Sequence, residues 1–252
     1  MDFGCLAPVR AFTELFRRHG VAATAEEVRG PMGIHKRDHI RAMLQMPALA
    51  QRWTEAHGAP PSEALVEELF QAFLPVQIEV IRQHTDVIPG TVNTFHALRA
   101  RGIRVGTTTG YSSAMMQICL DAARAAGYEP EANVAADEVP NGRPEPWMAV
   151  KAAAQLGDFP REACVKVGDT VADVLEGINA GMWSVAVVDT GNEVGLSQAE
   201  LEALPPDRRK ELVRAAQRKL VNAGAHYVIP GVAELPSLIT TIEERLRIRD
   251  RP

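Results

Sequence analysis

Cysteine is scarce here: of 252 residues only Cys5, Cys119 and Cys164 are cysteines. They are odd in number and far apart, which leaves neither a CxxC pair nor a disulfide framework and points to a reducing, cytoplasmic setting. No apolar run approaches the roughly 20 residues of a membrane span, and an early acid stands where a signal peptide would have its basic start. The expectation is a chain that is neither secreted nor anchored and has no membrane partner. Positive charge is not in excess either, with 27 Lys and Arg against 32 Asp and Glu and a net charge of −5. No nucleic-acid-binding surface is indicated, although local charge leaves small anionic ligands open. Repeats and low-complexity tracts are absent as well. The length is that of a soluble enzyme with one large domain, or a core domain with a smaller lobe.

From Cys5 to about His84 the apolar spacing is helical. Leu6, Val9, Phe12 and Phe16 share a face, Thr24-x-x-Glu27 forms a capping box, and Ser62 opens a stretch carrying Leu65, Leu69 and Phe73. No strand is expected there. The character changes around Asp86-Val-Ile-Pro-Gly90, after which helices alternate with short β-branched runs at Ile103 to Gly106, Cys164 to Val167, Ser184 to Val188 and His226 to Ile229. That alternation predicts an α/β fold with a Rossmann-like parallel sheet covered by helices. The division is a helical lobe over 1–87 and a core over 88–252, with a surface helical insertion at about 191–224 that includes a helix from Asp207 to Leu220.

Three segments of the core carry chemistry. The run Val165 to Val188 reads as strand, tight exit at Gly168, then a helix with Val174, Ile178 and Met182 on its apolar face. It places Asp169 and Asp173 beyond a strand's carboxyl end, where ligands bind in open parallel sheets and where carboxylates can hold a hard cation. Either Asp169 or Thr170 could instead cap the helix, but that leaves the second carboxylate without a role. The exit Arg104-Val-Gly-Thr-Thr-Thr-Gly-Tyr111 offers hydroxyls at Thr108 or Thr109 and backbone N–H groups near Gly110 to an anion at the start of a helix from Ser112 to Ala126, though a structural turn fits the same residues. Between them, Asn141-Gly-Arg-Pro-Glu-Pro-Trp147 is a proline-restrained loop that could present Arg143 as an anion clamp.

In the helical lobe, Gly30-Pro-Met-Gly-Ile-His-Lys-Arg-Asp-His39 sets Lys36 and His39 at i,i+3, with Met32 and Met43 on the same stripe. An exposed lysine has a pKa near 10.4 and is a poor nucleophile, whereas desolvation and a neighbouring cation free its amine. The alternative is a solvated basic face. A zinc-peptidase reading of His35-x-x-x-His39 fails, because Lys36 stands where the catalytic Glu would be.

Taken together, the segment 30–39, Thr107-Thr-Thr-Gly-Tyr111, Gly142-Arg-Pro-Glu-Pro-Trp-Met148 and Gly168-Asp-Thr-Val-Ala-Asp173 resemble, in order, the haloacid dehalogenase superfamily, and more narrowly the phosphonoacetaldehyde hydrolases. The resemblance covers almost the whole chain and is narrowed by Lys36 and by Arg143, where most of the superfamily has a lysine. It implies a helical cap over a Rossmann-like core and hydrolysis of the P–C bond of phosphonoacetaldehyde to acetaldehyde and phosphate. Lys36 would form a Schiff base that accepts the electrons of the broken bond, followed by a phospho-aspartyl intermediate. It further implies Mg²⁺ on Asp169, support of the metal shell by Asp173, a phosphonate grip by Thr109, Gly110 and Arg143, cap and pocket contacts from His39, Met32, Cys5 and Tyr111, and a homodimer through the cap. Met43, Leu44, Met46 and Leu49 could supply its apolar patch or pack within the lobe.

One departure stands out. The family opens with an apolar strand ending in an Asp-x-Ala-Gly-Thr type motif that supplies the nucleophile, and this chain opens at Met1-Asp-Phe-Gly-Cys5, already in the cap. Asp2 matches a position just beyond that motif, and Asp86-Val-Ile-Pro-Gly-Thr91 has the wrong spacing. The expectation is a start placed too late, a missing central strand, and poor folding and turnover of the chain by itself. The open alternatives are a non-catalytic phosphonate-binding relative and a phosphatase or mutase of the same superfamily for which Lys36 is incidental.

Overall fold

Helices come first along the chain. The computed structural model describes residues 1–157 and 160–252. It begins with α1 (Leu6–Arg18), α2 (Ala25–Arg29), α3 (Lys36–Leu44), α4 (Pro47–His57) and α5 (Glu63–Ile81). The expected caps form: Thr24 and Glu27 close a capping box on α2, and the Ser62 hydroxyl accepts from the Leu65 N–H at the start of α5. The apolar face of α1 lies against α5, where Phe12 stacks on Phe73 with centroids 4.3 Å apart. Around that contact Leu15, Phe16, Ile40, Met43, Leu49 and Leu69 are buried in one cluster. Fully burying such side chains stabilises by about 1.5–3 kcal/mol each, which is what holds five short helices together. Met43, Leu44 and Leu49, offered above for a dimer patch, are used up in this core and only Met46 keeps partial exposure.

The alternating part follows as α6 (Thr91–Ala100), β1 (Gly106–Thr109), α7 (Ser113–Ala125), β2 (Ala132–Ala135), α8 (Trp147–Leu156), β3 (Val165–Gly168), α9 (Val171–Asn179), β4 (Trp183–Val187), α10 (Gln198–Ala203), α11 (Pro206–Asn222), β5 (Tyr227–Ile229) and α12 (Leu235–Arg247). Every strand pairing is parallel, with Thr108 opposite Val134, Val167 opposite Val185 and Ala186 opposite Val228. β1 starts three residues later than expected, because its register with β2 runs from Gly106 to Thr109. β2, with sequence Ala-Asn-Val-Ala, has no β-branched run and was not anticipated. Helices α10 and α11 are more than a surface insertion. They make the crossover from β4 to β5 that parallel strands require, and Ala216 and Leu220 of α11 are buried with Val174, Ala186 and Val188.

The strands form two groups, β1-β2 and β3-β4-β5. Among the described residues no strand lies between β1 and β3. A cavity of about 760 Å³ reaches both, lined on its inner part by Leu98, Val105, Leu156, Val165, Val167 and Ile239. The same cavity extends past the carboxyl ends of β1 and β3 to the helical lobe, and it is there that the chemistry-bearing residues meet.

Candidate active site

Gly33 and Gly110 bring the lobe onto the core. A Cβ on Gly110 would stand 2.9 Å from the carbonyl oxygens of Gly33 and Ile34, and one on Gly33, whose φ is +95°, would stand 2.4 Å from the Thr170 hydroxyl. Only glycine permits both the approach and that backbone. The turn that precedes Lys36 is thereby held against the exit of β1 and the start of α9.

Lys36 is the first residue of α3, with His35 as N-cap. It is 4 % exposed, and its Nζ lies 5.7 Å from the Phe12 ring centroid and 5.2 Å from that of Tyr111. Among the described residues it has no carboxylate partner. Burial, reinforced by the charge of Arg143, lowers its pKa to about 8, and the positive end of α3 acts in the same sense. About a tenth of the amine is thus neutral at pH 7, far more than for an exposed lysine.

Of the residues singled out in the sequence, Met32, Cys5, Thr109, Gly110, Tyr111, Arg143, Asp169 and Asp173 line this cavity together with Lys36. His39 does not. It is buried behind Lys36, its ring tilted against that of Phe12 with centroids 4.1 Å apart, and its Nε2 is 2.8 Å from the Val28 carbonyl. Burial lowers its pKa, so the ring is neutral. Burial raises the Cys5 thiol far above its ordinary value, which keeps it a thiol. Thr109 Oγ1 accepts from the Tyr111 N–H. The start of α7 is not an open anion site, since Asp137 accepts from both the N–H and the hydroxyl of Ser113.

Asp169 and Asp173 have different environments. Asp169 Oδ2 accepts from the Asn192 N–H at 2.7 Å, while Oδ1 has no partner among the described residues. Burial, with the charge of Asp173 adding to it, raises its pKa to about 6. A desolvated carboxylate with an open oxygen and no ion-pair partner among the described residues suits a hard cation as one ligand, although no group of three or more His, Cys, Asp or Glu side chains arranged to hold a metal occurs among the described residues. Asp173 is saturated. Its Oδ1 meets Lys166 Nζ at 2.6 Å and Arg143 Nη1 at 3.1 Å, and its Oδ2 accepts from the Thr170 hydroxyl at 2.6 Å. Burial would raise its pKa, but Arg143 and Lys166 outweigh that and hold the carboxyl well below its usual range. The capping alternative is also realised, through Thr170 and Asp173 as a reciprocal pair at the start of α9.

Sequence reasoning missed Lys166 and Glu176. The buried face of α9 carries Asp173, Glu176 and Gly177, whereas Ile178, assigned above to its apolar face, is exposed. The signal was there: Asp173 and Glu176 stand at i,i+3, and Lys166 is a charge inside an apolar strand. Arg29 and Asn192 were missed as well. Arg29 bonds the carbonyls of Gly4 and Gly195 and the Asn192 side chain, linking the lobe to the loop that holds Asp169.

Comparison with known proteins decides the family. Residues 7–181 match the haloacid dehalogenase-like hydrolases. The chain belongs to that family. Among curated relatives of this hydrolase, a phosphonoacetaldehyde hydrolase-like protein of Syntrophobacter fumaroxidans is 43 % identical over 252 residues, covering 100 % of this chain and 91 % of the relative. A phosphonoacetaldehyde hydrolase of Bacillus cytotoxicus is 41 % identical over 245 residues, covering 97 % and 93 %. The crystal structure of a phosphonoacetaldehyde hydrolase-like protein from Oleispira antarctica superposes with a TM-score of 0.98 at 43 % identity, over 100 % of this chain and 91 % of that one. The α/β core with its helices is thus that of the haloacid dehalogenase-like fold. No helix among the described residues is long and apolar enough to cross a membrane.

Proposed function

We propose that this hydrolase cleaves the P–C bond of phosphonoacetaldehyde, giving acetaldehyde and phosphate, in the cytoplasm. The observation that carries the reading is Lys36: a buried amine with a pKa of about 8, without a carboxylate partner among the described residues, sharing one cavity with Arg143, Gly110 and Asp169. A phosphatase acting on an ester has no use for such an amine. Here Nζ attacks the aldehyde carbon, the carbinolamine loses water, and the resulting iminium accepts the electron pair of the P–C bond as an enamine. Protonation at carbon and hydrolysis then release acetaldehyde and return the amine. Arg143 and the Thr109–Gly110 turn bind the phosphonate oxygens, where fixed donors favour the transferring group. Tyr111, Met32 and Cys5 wall the aldehyde end and exclude water, and neutral His39 backs Lys36. Asp169 would hold Mg²⁺, which neutralises phosphonate charge when bound. In this reading 1–87 is the cap and 88–252 the core, and the resemblance suggests a homodimer through the cap.

Sodium borohydride trapping with the aldehyde substrate tests the proposal. Reduction is expected to leave the added mass on the peptide containing Lys36, with the trapped fraction rising as pH climbs through about 8. Trapping at surface lysines alone, or with no pH dependence near that value, would sink it.

The phosphoryl acceptor in this scheme is an Asp at the end of a strand seated between β1 and β3, forming a phospho-aspartyl intermediate that water then hydrolyses to phosphate and free Asp. Asp2 cannot serve, because its two oxygens accept from the N–H groups of Leu6 and Ala7 and are used up at the start of α1. The inner cavity supports the reading, since it borders both strands and is walled by apolar side chains. Fusing an apolar segment of about six residues that ends in Asp ahead of Met1 is expected to raise Tm by several degrees and to confer turnover. A fused strand that changes neither would rule this placement out.

A further inference from the structure

The side chain of Glu176 is fully buried, is named by none of the roles above, and has four donors aimed at its two oxygens. Oε2 receives Arg143 Nε at 2.8 Å, Lys166 Nζ at 3.1 Å and the Thr108 hydroxyl at 3.2 Å, and Oε1 receives the Ala149 N–H at 3.2 Å. The same Thr108 takes Arg143 Nη2 on both its carbonyl, at 2.7 Å, and its hydroxyl, at 2.8 Å. Three of the five guanidinium N–H donors are therefore engaged by Glu176 and Thr108, Nη1 meets Asp173 Oδ1 at 3.1 Å, and the second Nη1 N–H is the donor left without a partner among the described residues. Arg143 and Lys166 are matched in charge by Asp173 and Glu176. A buried guanidinium held along its Nε edge cannot swing, which makes it a fixed donor.

We infer that Glu176 is the positioning residue of the anion clamp: it holds Arg143 by the Nε edge so that the Nη1 end faces the phosphonate oxygens. The inference rests on Arg143 being the clamp. An amide cannot take over the role, since its NH₂ would oppose the Ala149 N–H in one orientation and three donors in the other. A carboxylate one methylene shorter keeps the charge and part of the geometry.

Calorimetric titration of the full chain with inorganic phosphate tests this as a double-mutant cycle. Glu176→Gln is expected to weaken phosphate binding at least tenfold, Glu176→Asp by less, and Glu176→Gln placed in an Arg143→Ala background to add no more than twofold. Should the Gln variant fail to fold, the cycle is run with Glu176→Asp, which must likewise lose its effect in the Arg143→Ala background. Parent-like binding by Glu176→Gln, or effects of the two substitutions that multiply, would overturn the inference. Unchanged binding by Arg143→Ala alone would instead remove the clamp reading beneath it, and the inference with it.

Discussion

Lys36→Met is expected to abolish borohydride trapping, and the turnover of the strand-fused protein, while leaving the fold more stable by about 1–3 kcal/mol at pH 7. The reason is the direction of the pKa change. Folding lowers the Lys36 value from 10.5 to about 8 through burial, so keeping the amine protonated at pH 7 costs folding free energy. That cost is complete below about pH 8 and disappears as pH rises past 10.5, where both states are neutral. Parent stability should therefore climb with pH across that window, and the Met variant should lack the slope. Methionine has similar length, suits the rings of Phe12 and Tyr111, and carries no charge. Chemical denaturation at pH 7 and pH 9.5, beside the trapping assay, measures both effects. A strand-fused Lys36→Met protein that still turns over substrate would point to a phosphatase or mutase for which the lysine is incidental.

Asp173→Ala should act in the opposite direction, lowering stability by about 3–5 kcal/mol. Lys166 and Arg143 would then face each other with only Glu176 between them, and the Thr170 hydroxyl would lose its acceptor. The loss is large against a total of about 5–15 kcal/mol for a typical domain, so the variant should be partly unfolded near body temperature. Asp173 holds its carboxyl below the unfolded value of 3.8, so its contribution is present above that value and is lost only as pH falls through its folded value. Urea melts of parent and variant at pH 7 check the figure, and a loss under about 1 kcal/mol would mean that solvent reaches the cluster.

The helical lobe and the α/β alternation could be read directly from the chain because local spacing and caps dictate them. Thr24 with Glu27, Ser62 with Leu65, and the stripe Phe12, Phe16, Leu69 and Phe73 act within a few residues of one another or across a single interface. β2 could not be read this way: Ala and Asn have low strand propensity, and Ala132–Ala135 is extended because β1 offers it a ladder. The choice between a dimer patch and packing within the lobe lay beyond the sequence for a related reason. Periodicity shows that Met43, Leu44 and Leu49 are apolar but not which neighbour covers them, and α3, α4 and α5 cover them within the lobe.

The same division runs through the site. The sequence by itself determined the residue types, with a lone lysine after a glycine turn, an arginine between prolines and two carboxylates after a strand, and with these the family. Tertiary structure decided what each does. It buried Lys36 between two rings and lowered its pKa, left one oxygen of Asp169 open while saturating Asp173, and recruited Glu176 to pair with Arg143 and Lys166 to pair with Asp173. Desolvation and charge pairing depend on distances between residues far apart in the chain, and those distances exist only once the lobe is seated on the core.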